Sequence, residues 1–291
     1  MKFHGIVPAL VTPFNAAQEV DEPALAALIE SLISAGVHGL FVLGTNGEFF
    51  ALSDAEKVRI AKLTVELAAG RVPVIAGTGA FATRDVIELN KKMSDVGVQA
   101  LSVITPFFNA VSQSELINHY QSIGDASDLP IMLYNIPAKT GMSIGIQAVA
   151  ALSQHPQIKG IKDSAGNFDA LVQMMRYRSD DFAVFAGTDS LIYWNLLAGG
   201  DGAVAATANA VPHVVMEIWN QFQAGNHEAA RTAQEALRPL RDAFALGTMP
   251  SVLKKATDLL NVPVGPCRAP VAALDEQTVH KLEGLLAAYQ R

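Results

Sequence analysis

Short apolar runs recur along the chain and alternate with longer amphipathic stretches. The runs are spaced about 20 to 35 residues apart, as in successive strand–helix units. They occupy residues 6–11, 39–44, 73–77, 100–105, 130–134, 158–162, 182–187 and 202–207. Strands of a parallel sheet are buried on both faces and are therefore apolar throughout. The pattern predicts eight parallel strands.

The stretches between the runs carry helix signals. Residues 22–36 have apolar positions at helical spacing and follow Asp21, which stands in a capping position. Residues 53–70 begin with Ser53 and have Glu56 three positions later, the arrangement of a capping box. Strands and helices are therefore predicted to alternate along the chain.

Eight such alternations without a long linker favour a closed (β/α)8 TIM barrel, an α/β fold. An open doubly wound sheet is the alternative, because counting strands does not separate the two. Further helical segments are predicted at 212–224, 226–246, 249–260 and 275–290, one of which must be the eighth barrel helix. We expect a barrel over residues 1–225 and a C-terminal helical extension over residues 226–291 packed on it, the two forming one fold unit.

Composition adds an expectation about assembly and location. Of the 291 residues 50% are hydrophobic and only 17% are charged, with a mean hydropathy of +0.26. So much apolar surface predicts extensive burial inside the subunit or between subunits, and hence an oligomer. Cys267 is the only cysteine, which excludes an intramolecular disulfide and fits a reducing compartment.

The net charge of -7 comes from scattered acidic residues, and no basic cluster interleaved with aromatic residues indicates nucleic acid binding. The first residues do not resemble a signal peptide, and no apolar run reaches the roughly 18 residues that a membrane span needs. The expectation is a cytoplasmic protein with no nucleic acid or membrane partner.

Two neighbouring apolar runs end in side chains that carry chemistry, Tyr134 and Lys162. The stretch between them is long enough to connect adjacent parallel strands, so a phenol and an amine would lie side by side. Burial disfavours the ammonium form of a lysine, and imine formation with a carbonyl requires the neutral amine. The alternative is that Lys162 is a strand-end lysine paired with Asp163.

The glycine-rich sequence GTNGE, residues 44–48, follows the second strand. Its backbone N–H groups, together with the Thr45 hydroxyl, can hold a carboxylate. An ordinary glycine-rich turn between strand and helix is the alternative.

No cofactor or metal is expected. Residues 77–82 imitate a dinucleotide fingerprint, but the next strand ends at residues 105–109 without the carboxylate that a nicotinamide site needs. The seven histidines are dispersed and form none of the usual ligand spacings, which disfavours a metal-dependent aldolase.

Four stretches in order, GTNGE, YNIPAKTG, GIKDSAGN and GGDGAVAATAN, resemble the N-acetylneuraminate lyase and dihydrodipicolinate synthase family of class I aldolases. The similarity covers essentially the whole chain, including the GPCRAP turn. It implies a TIM barrel that works without a cofactor and assembles as a homotetramer of tight dimers.

By this resemblance, Lys162 forms a Schiff base with pyruvate, Tyr134 is the acid/base group and Thr45 works with it. Asn46 and Thr45 would hold the pyruvate carboxylate. The further residues placed around the substrate are Gly44, Lys139, Ser164, Gly187, Asp189 and Val204, and Phe108 occupies the place of the aromatic residue that reaches into the neighbouring subunit.

Three of these positions depart from dihydrodipicolinate synthases. Asn46 replaces a second threonine, Lys139 replaces an arginine for a distal carboxylate, and Phe108 lacks the hydroxyl of the usual proton relay. The expected function is therefore reversible cleavage of a 2-oxo-4-hydroxy acid, of the 2-keto-3-deoxy sugar acid type, to pyruvate and an aldehyde. The alternatives are 4-hydroxy-tetrahydrodipicolinate synthase, which condenses pyruvate with aspartate semialdehyde, and a non-catalytic paralogue that binds a 2-oxo acid.

Overall fold

Eight parallel strands close into a barrel within residues 3–289, the residues that the computed structural model describes. The strands are β1 (Gly5–Pro8), β2 (Leu40–Val42), β3 (Val74–Gly77), β4 (Ala100–Ile104), β5 (Ile131–Asn135), β6 (Ile158–Asp163), β7 (Ala183–Ala186) and β8 (Gly202–Ala205). Each strand pairs with the next in sequence from β2 to β8, and β8 pairs with β1. Ala9 bridges to Phe41, which joins the ends of β1 and β2. The predicted (β/α)8 TIM barrel is confirmed, and each predicted run overlaps one of these strands.

Helices connect the strands and extend beyond the last one. They are α1 (Glu22–Ser34), α2 (Asp54–Ala68), α3 (Thr83–Asp95), α4 (Gln113–Asp125), α5 (Pro137–Thr140), α6 (Ile146–Leu152), α7 (Phe168–Met174), α8 (Ile192–Leu197), α9 (Pro212–Gln223), α10 (His227–Ala236), α11 (Arg238–Ala243), α12 (Ser251–Leu260) and α13 (Glu276–Leu286). The Asp21 carboxylate caps α1, and Ser53 and Glu56 form the predicted capping box of α2. Local capping signals therefore located these two helix starts correctly.

The C-terminal part of the chain differs in one detail from the prediction. The segment 226–246, predicted as one helix, is divided into α10 and α11 with Leu237 between them. Pro239 lies in the first turn of α11, where its missing N–H costs nothing, whereas inside a continuous helix it would clash with the preceding turn. The helix α9 follows β8 and is the eighth barrel helix. The boundary between barrel and extension at residue 225 stays a prediction.

The interior of the barrel is filled by side chains that point inward from the strands, because residues along a strand alternate between its two faces. This inner group is Phe3, Val7, Ala9, Phe41, Ile75, Ala100, Met132, Ala183, Phe185 and Val204. A larger apolar layer lies between the strands and the helices. The same alternation carries Tyr134, two residues after Met132, to the inner face at the carboxyl end of the barrel.

No helix in the described range, residues 3–289, has the length and apolar character needed to cross a bilayer.

Candidate active site

Tyr134 and Lys162 lie side by side at the carboxyl ends of β5 and β6, where they are direct partners in the strand register. The Lys162 Nζ is 3.9 Å from the centroid of the Tyr134 ring and 4.9 Å from that of Phe41. Tyr134 and Lys162 are each only 4% exposed. The predicted meeting of a buried amine and a phenol is therefore present. A buried amine with a phenol beside it can form an imine and exchange protons with its substrate.

The alternative, that Lys162 is a strand-end lysine paired with Asp163, is not what the described residues show. Successive residues of a strand point to opposite faces, so Asp163 faces away from the barrel interior. Its Oδ1 accepts a hydrogen bond of 2.6 Å from the Asn135 side chain. Burial raises the pKa of Asp163, and the bond from Asn135 opposes that shift. Lys162 is thus left without this carboxylate as a partner.

The GTNGE loop lies against the tyrosine. The Thr45 Oγ1 and the Tyr134 hydroxyl are 3.2 Å apart, a hydrogen-bonding distance. Gly44 packs against the Phe41 ring so closely that an added Cβ would lie 2.7 Å from Phe41 Cε1. Asn46 is partly exposed, as Thr45 is, so both side chains are within reach of a ligand at the barrel mouth.

Gly187, at the end of β7, makes room for the lysine. A Cβ at this position would overlap the Ser164 hydroxyl and lie 3.0 Å from Lys162 Cε, so no larger residue fits without displacement. The Ser164 hydroxyl is buried and has no hydrogen-bond partner among the described residues. Val204 belongs to the buried inner face of the barrel. These positions shape the space around the amine.

Asp189 is held by the backbone of the neighbouring loop. Its carboxylate accepts hydrogen bonds from Ala206 N at 3.2 Å and Thr207 N at 2.6 Å, and its side chain is almost completely buried. Gln234 of α10 donates to the Asp189 carbonyl at 2.9 Å. In this chain Asp189 therefore braces the loop after β8 through both carboxylate oxygens, and a direct contact with substrate stays a prediction.

Phe108 and Lys139 lie on the outside of the single chain. Phe108 has a positive φ of 77° and is fully exposed, with a relative accessibility of 103%. Phe107 instead packs on Phe49, with ring centroids 6.0 Å apart. Lys139 is exposed at the end of the short helix α5. A fully exposed Phe108 does not contact the Lys162–Tyr134 pair of its own subunit.

Sequence reasoning missed one residue of this site, Phe41. Its ring stands edge-on to Tyr134, with centroids 6.3 Å apart and planes at 89°, and also faces the Lys162 Nζ. An aromatic residue within an apolar strand gives no local sign of this contact, which depends on strand register around the barrel.

Among residues 3–289, no group of three or more His, Cys, Asp or Glu side chains is arranged to hold a metal ion.

The buried lysine and its phenol, placed at the carboxyl ends of barrel strands, fit a carbon–carbon lyase of the Schiff-base type. The model of the dihydrodipicolinate synthetase family matches residues 2–289. The chain belongs to this family, and it is a Schiff-base pyruvate lyase.

Similarity to individual relatives extends over the full length. The chain is 36% identical over 290 residues to a 4-hydroxy-tetrahydrodipicolinate synthase of Methanospirillum hungatei, covering 99% of each chain. The crystal structure of a dihydrodipicolinate synthase of Bacillus anthracis superposes with a TM-score of 0.96 at 32% identity over 100% of both chains. YagE, an E. coli K12 prophage protein of the same family solved in complex with pyruvate, gives a TM-score of 0.94 at 34% identity over 99% of each chain.

Proposed function

We propose that Lys162 is the lysine that forms the Schiff base with pyruvate. The amine adds to the keto carbon and water leaves, and the resulting iminium withdraws electrons from the carbon–carbon bond that is made or broken. Tyr134 transfers the proton, and Thr45 holds the phenol in place and binds the pyruvate carboxylate together with Asn46. The observation that carries this proposal is the contact of one phenol with both the amine and the Thr45 hydroxyl. The pyruvate complex of YagE supports a 2-oxo acid as the ligand.

For the second substrate, the names of the relatives favour aspartate semialdehyde. Relatives that match nearly the whole chain are named 4-hydroxy-tetrahydrodipicolinate synthase, and none of these relatives is named as a sugar acid aldolase. They support the function that the sequence offered as its alternative, the condensation of pyruvate with aspartate semialdehyde. We therefore propose this condensation as the first candidate.

The second candidate is cleavage of a 2-keto-3-deoxy sugar acid, and two observations favour it. Phe108 is fully exposed and so is placed to meet another subunit, but it has no hydroxyl to complete a relay with a neighbouring site. Lys139 offers a single ammonium in place of the two-pronged contact that an arginine makes with a carboxylate. Both features are compatible with a sugar acid whose distal part is an uncharged polyol chain.

One assay separates the candidates. Purified enzyme is given pyruvate with aspartate semialdehyde, and in parallel a panel of 2-keto-3-deoxy acids whose cleavage is followed as pyruvate by lactate dehydrogenase. Saturable condensation without cleavage supports the first candidate, and the reverse supports the second. Either activity must be abolished in Lys162→Ala. Pyruvate binding without turnover of any substrate would support the third reading, a non-catalytic 2-oxo acid binding protein.

We also propose that the chain assembles as a homotetramer of dimers, with the Phe107–Phe108 segment at the dimer contact. A phenylalanine ring that is fully exposed and held at a positive φ is unfavourable in an isolated subunit. Packed against its symmetry mate, it would gain about 0.5 to 1.5 kcal/mol beyond its buried area. Light scattering at micromolar concentration should give the tetramer mass for the native protein and a smaller mass for Phe108→Asp. A monomeric native protein would contradict the assembly.

A further inference from the structure

A buried ion pair lies behind the GTNGE loop, outside the residues assigned to substrate. Glu48, the last residue of the loop, and Lys254 of α12 are 3.1 Å apart between Oε1 and Nζ. Each side chain is only 1% exposed. The two residues are separated by 206 positions in the sequence, so the pair joins the loop after β2 to the C-terminal helices.

The pair is satisfied by further hydrogen bonds. Besides Glu48, the Lys254 ammonium donates to the Thr12 carbonyl at 2.8 Å and the Pro266 carbonyl at 2.5 Å, so all three of its donors are used. The second carboxylate oxygen of Glu48 accepts from Arg268 N at 2.9 Å. Burial lowers the pKa of Lys254, and the Glu48 carboxylate opposes that shift. The ammonium thus ties three separate segments of the chain together at one point.

These contacts hold the loop backbone in an unusual shape. Glu48 is left-handed, with φ 55° and ψ 36°, a conformation that a non-glycine residue keeps only when its surroundings enforce it. Its N–H donates to the Thr45 carbonyl at 3.2 Å, and the Thr12 hydroxyl donates to the Gly47 carbonyl at 2.7 Å. The backbone is therefore fixed at the two residues that follow Asn46.

A buried ion pair stabilises a fold little more than apolar residues of the same shape would, because both charges lose their hydration. Here the pair instead holds the backbone of the GTNGE loop in one conformation at Glu48, where the backbone is left-handed. We propose that Glu48 and Lys254 are positioning residues for the proposed reaction, and that through them helix α12 sets the affinity of the enzyme for its 2-oxo acid. This inference rests on the proposed role of Thr45 and Asn46 in binding the carboxylate.

The test uses three variants of the full-length enzyme: Glu48→Gln, Lys254→Met and the double variant, which leaves no unpaired charge buried. Displacement of Thr45 and Asn46 would weaken their hydrogen bonds to a charged carboxylate, so we expect KM for the 2-oxo acid to rise by about 10- to 100-fold. The change in kcat should be much smaller, because a carboxylate contact is made equally in the ground state and the transition state. Trapping by borohydride should accordingly need more pyruvate, and should still modify Lys162 at saturation.

Arg178→Met is the matched control. It breaks the ion pair of 2.9 Å with the buried Asp201, which precedes β8 and so lies at the opposite end of the barrel. We expect this variant to be less stable, with the KM of the native enzyme. If the ion-pair variants do not fold, Thr12→Val tests the proposal in their place. It removes only the hydrogen bond to the Gly47 carbonyl, and we expect it to raise KM as well.

Two results bear on the proposal differently. A folded double variant, or a folded Thr12→Val variant, with native KM and native trapping would overturn it. Failure of the native enzyme to be trapped at Lys162 would instead count against the proposed function on which the inference rests.

Discussion

Replacement of Tyr134 by phenylalanine isolates the hydroxyl that the mechanism needs. The Tyr134 ring centroid lies 3.9 Å from the Lys162 Nζ, and the ring stands edge-on to Phe41. A phenylalanine ring preserves both of these contacts. Only the hydroxyl, 3.2 Å from Thr45 Oγ1, is lost. The change therefore removes the proton carrier and leaves the amine in place.

The expected loss is large and falls on turnover. A positioned acid/base group contributes about 10² to 10⁴ in rate, and at about 1.36 kcal/mol per factor of ten this amounts to roughly 3 to 5 kcal/mol in the activation free energy. One lost hydrogen bond costs only about 1 kcal/mol in the free energy of unfolding. Steady-state kinetics should thus show kcat reduced by about 10² to 10⁴ in a protein that unfolds at a similar denaturant concentration.

Tyr120→Phe is the matched control, because it makes the same chemical change at a fully buried tyrosine remote from the amine. The Tyr120 hydroxyl donates to the Val103 carbonyl at 3.1 Å. We expect a comparable loss of stability with native kcat. Equal kcat in Tyr134→Phe and the native enzyme would refute the assignment of the phenol.

Phe108→Tyr tests whether the proton path is already complete. The Tyr134 and Thr45 side chains contact each other without any help from Phe108, so adding a hydroxyl at that position should change kcat little. A gain of orders of magnitude with every 2-oxo acid would show that the native protein lacks a working relay, and would favour the binding-protein reading.

Three further predictions follow from the structure. Gly187→Ala should strongly reduce borohydride trapping, since the new methyl group would lie 3.0 Å from Lys162 Cε; trapping at the native level would contradict the described packing. The Arg268 guanidinium lowers the pKa of Glu56 to about 2 from its ordinary 4.5, so the stabilisation is complete above pH 4.5 and is lost as the pH falls toward 2. In urea unfolding, Glu56→Gln should therefore be destabilised at neutral pH, with a difference from the native protein that shrinks below pH 4.5; a constant difference would exclude this linkage. Burial raises the pKa of the Cys267 thiol to about 12, so a thiol-specific reagent in mildly alkaline buffer should react only after unfolding, and rapid reaction of the folded protein would count against that burial.

The sequence was sufficient for the fold and for the central pair of the site because both leave local patterns. Buried parallel strands are apolar throughout, and two of the apolar runs end in Tyr134 and Lys162, which are register partners in the barrel. Pro239 is a local signal for the break between α10 and α11. The helical periodicity of the surrounding residues nevertheless predicted one continuous helix.

Other features depend on contacts between distant parts of the chain and leave no such pattern. Glu48 is the last residue of the GTNGE loop, and no sequence feature near it indicates that it forms a buried ion pair with Lys254. Asp189 could be placed at a strand end, but its two hydrogen bonds to the loop after β8 follow only from the closed barrel. Long-range packing decides such roles, and periodicity does not report on it.

The central claim is that Lys162 alone carries the imine, and trapping tests it directly. The native enzyme is incubated with pyruvate and borohydride, digested, and mapped by peptide mass. We predict one modified peptide, bearing the reduced adduct at Lys162 and absent from Lys162→Met. Lys254 provides an internal control, because it is also buried but its ammonium is occupied by three acceptors, so it should remain unmodified. An unmodified Lys162, or an adduct on another lysine, would contradict the mechanism.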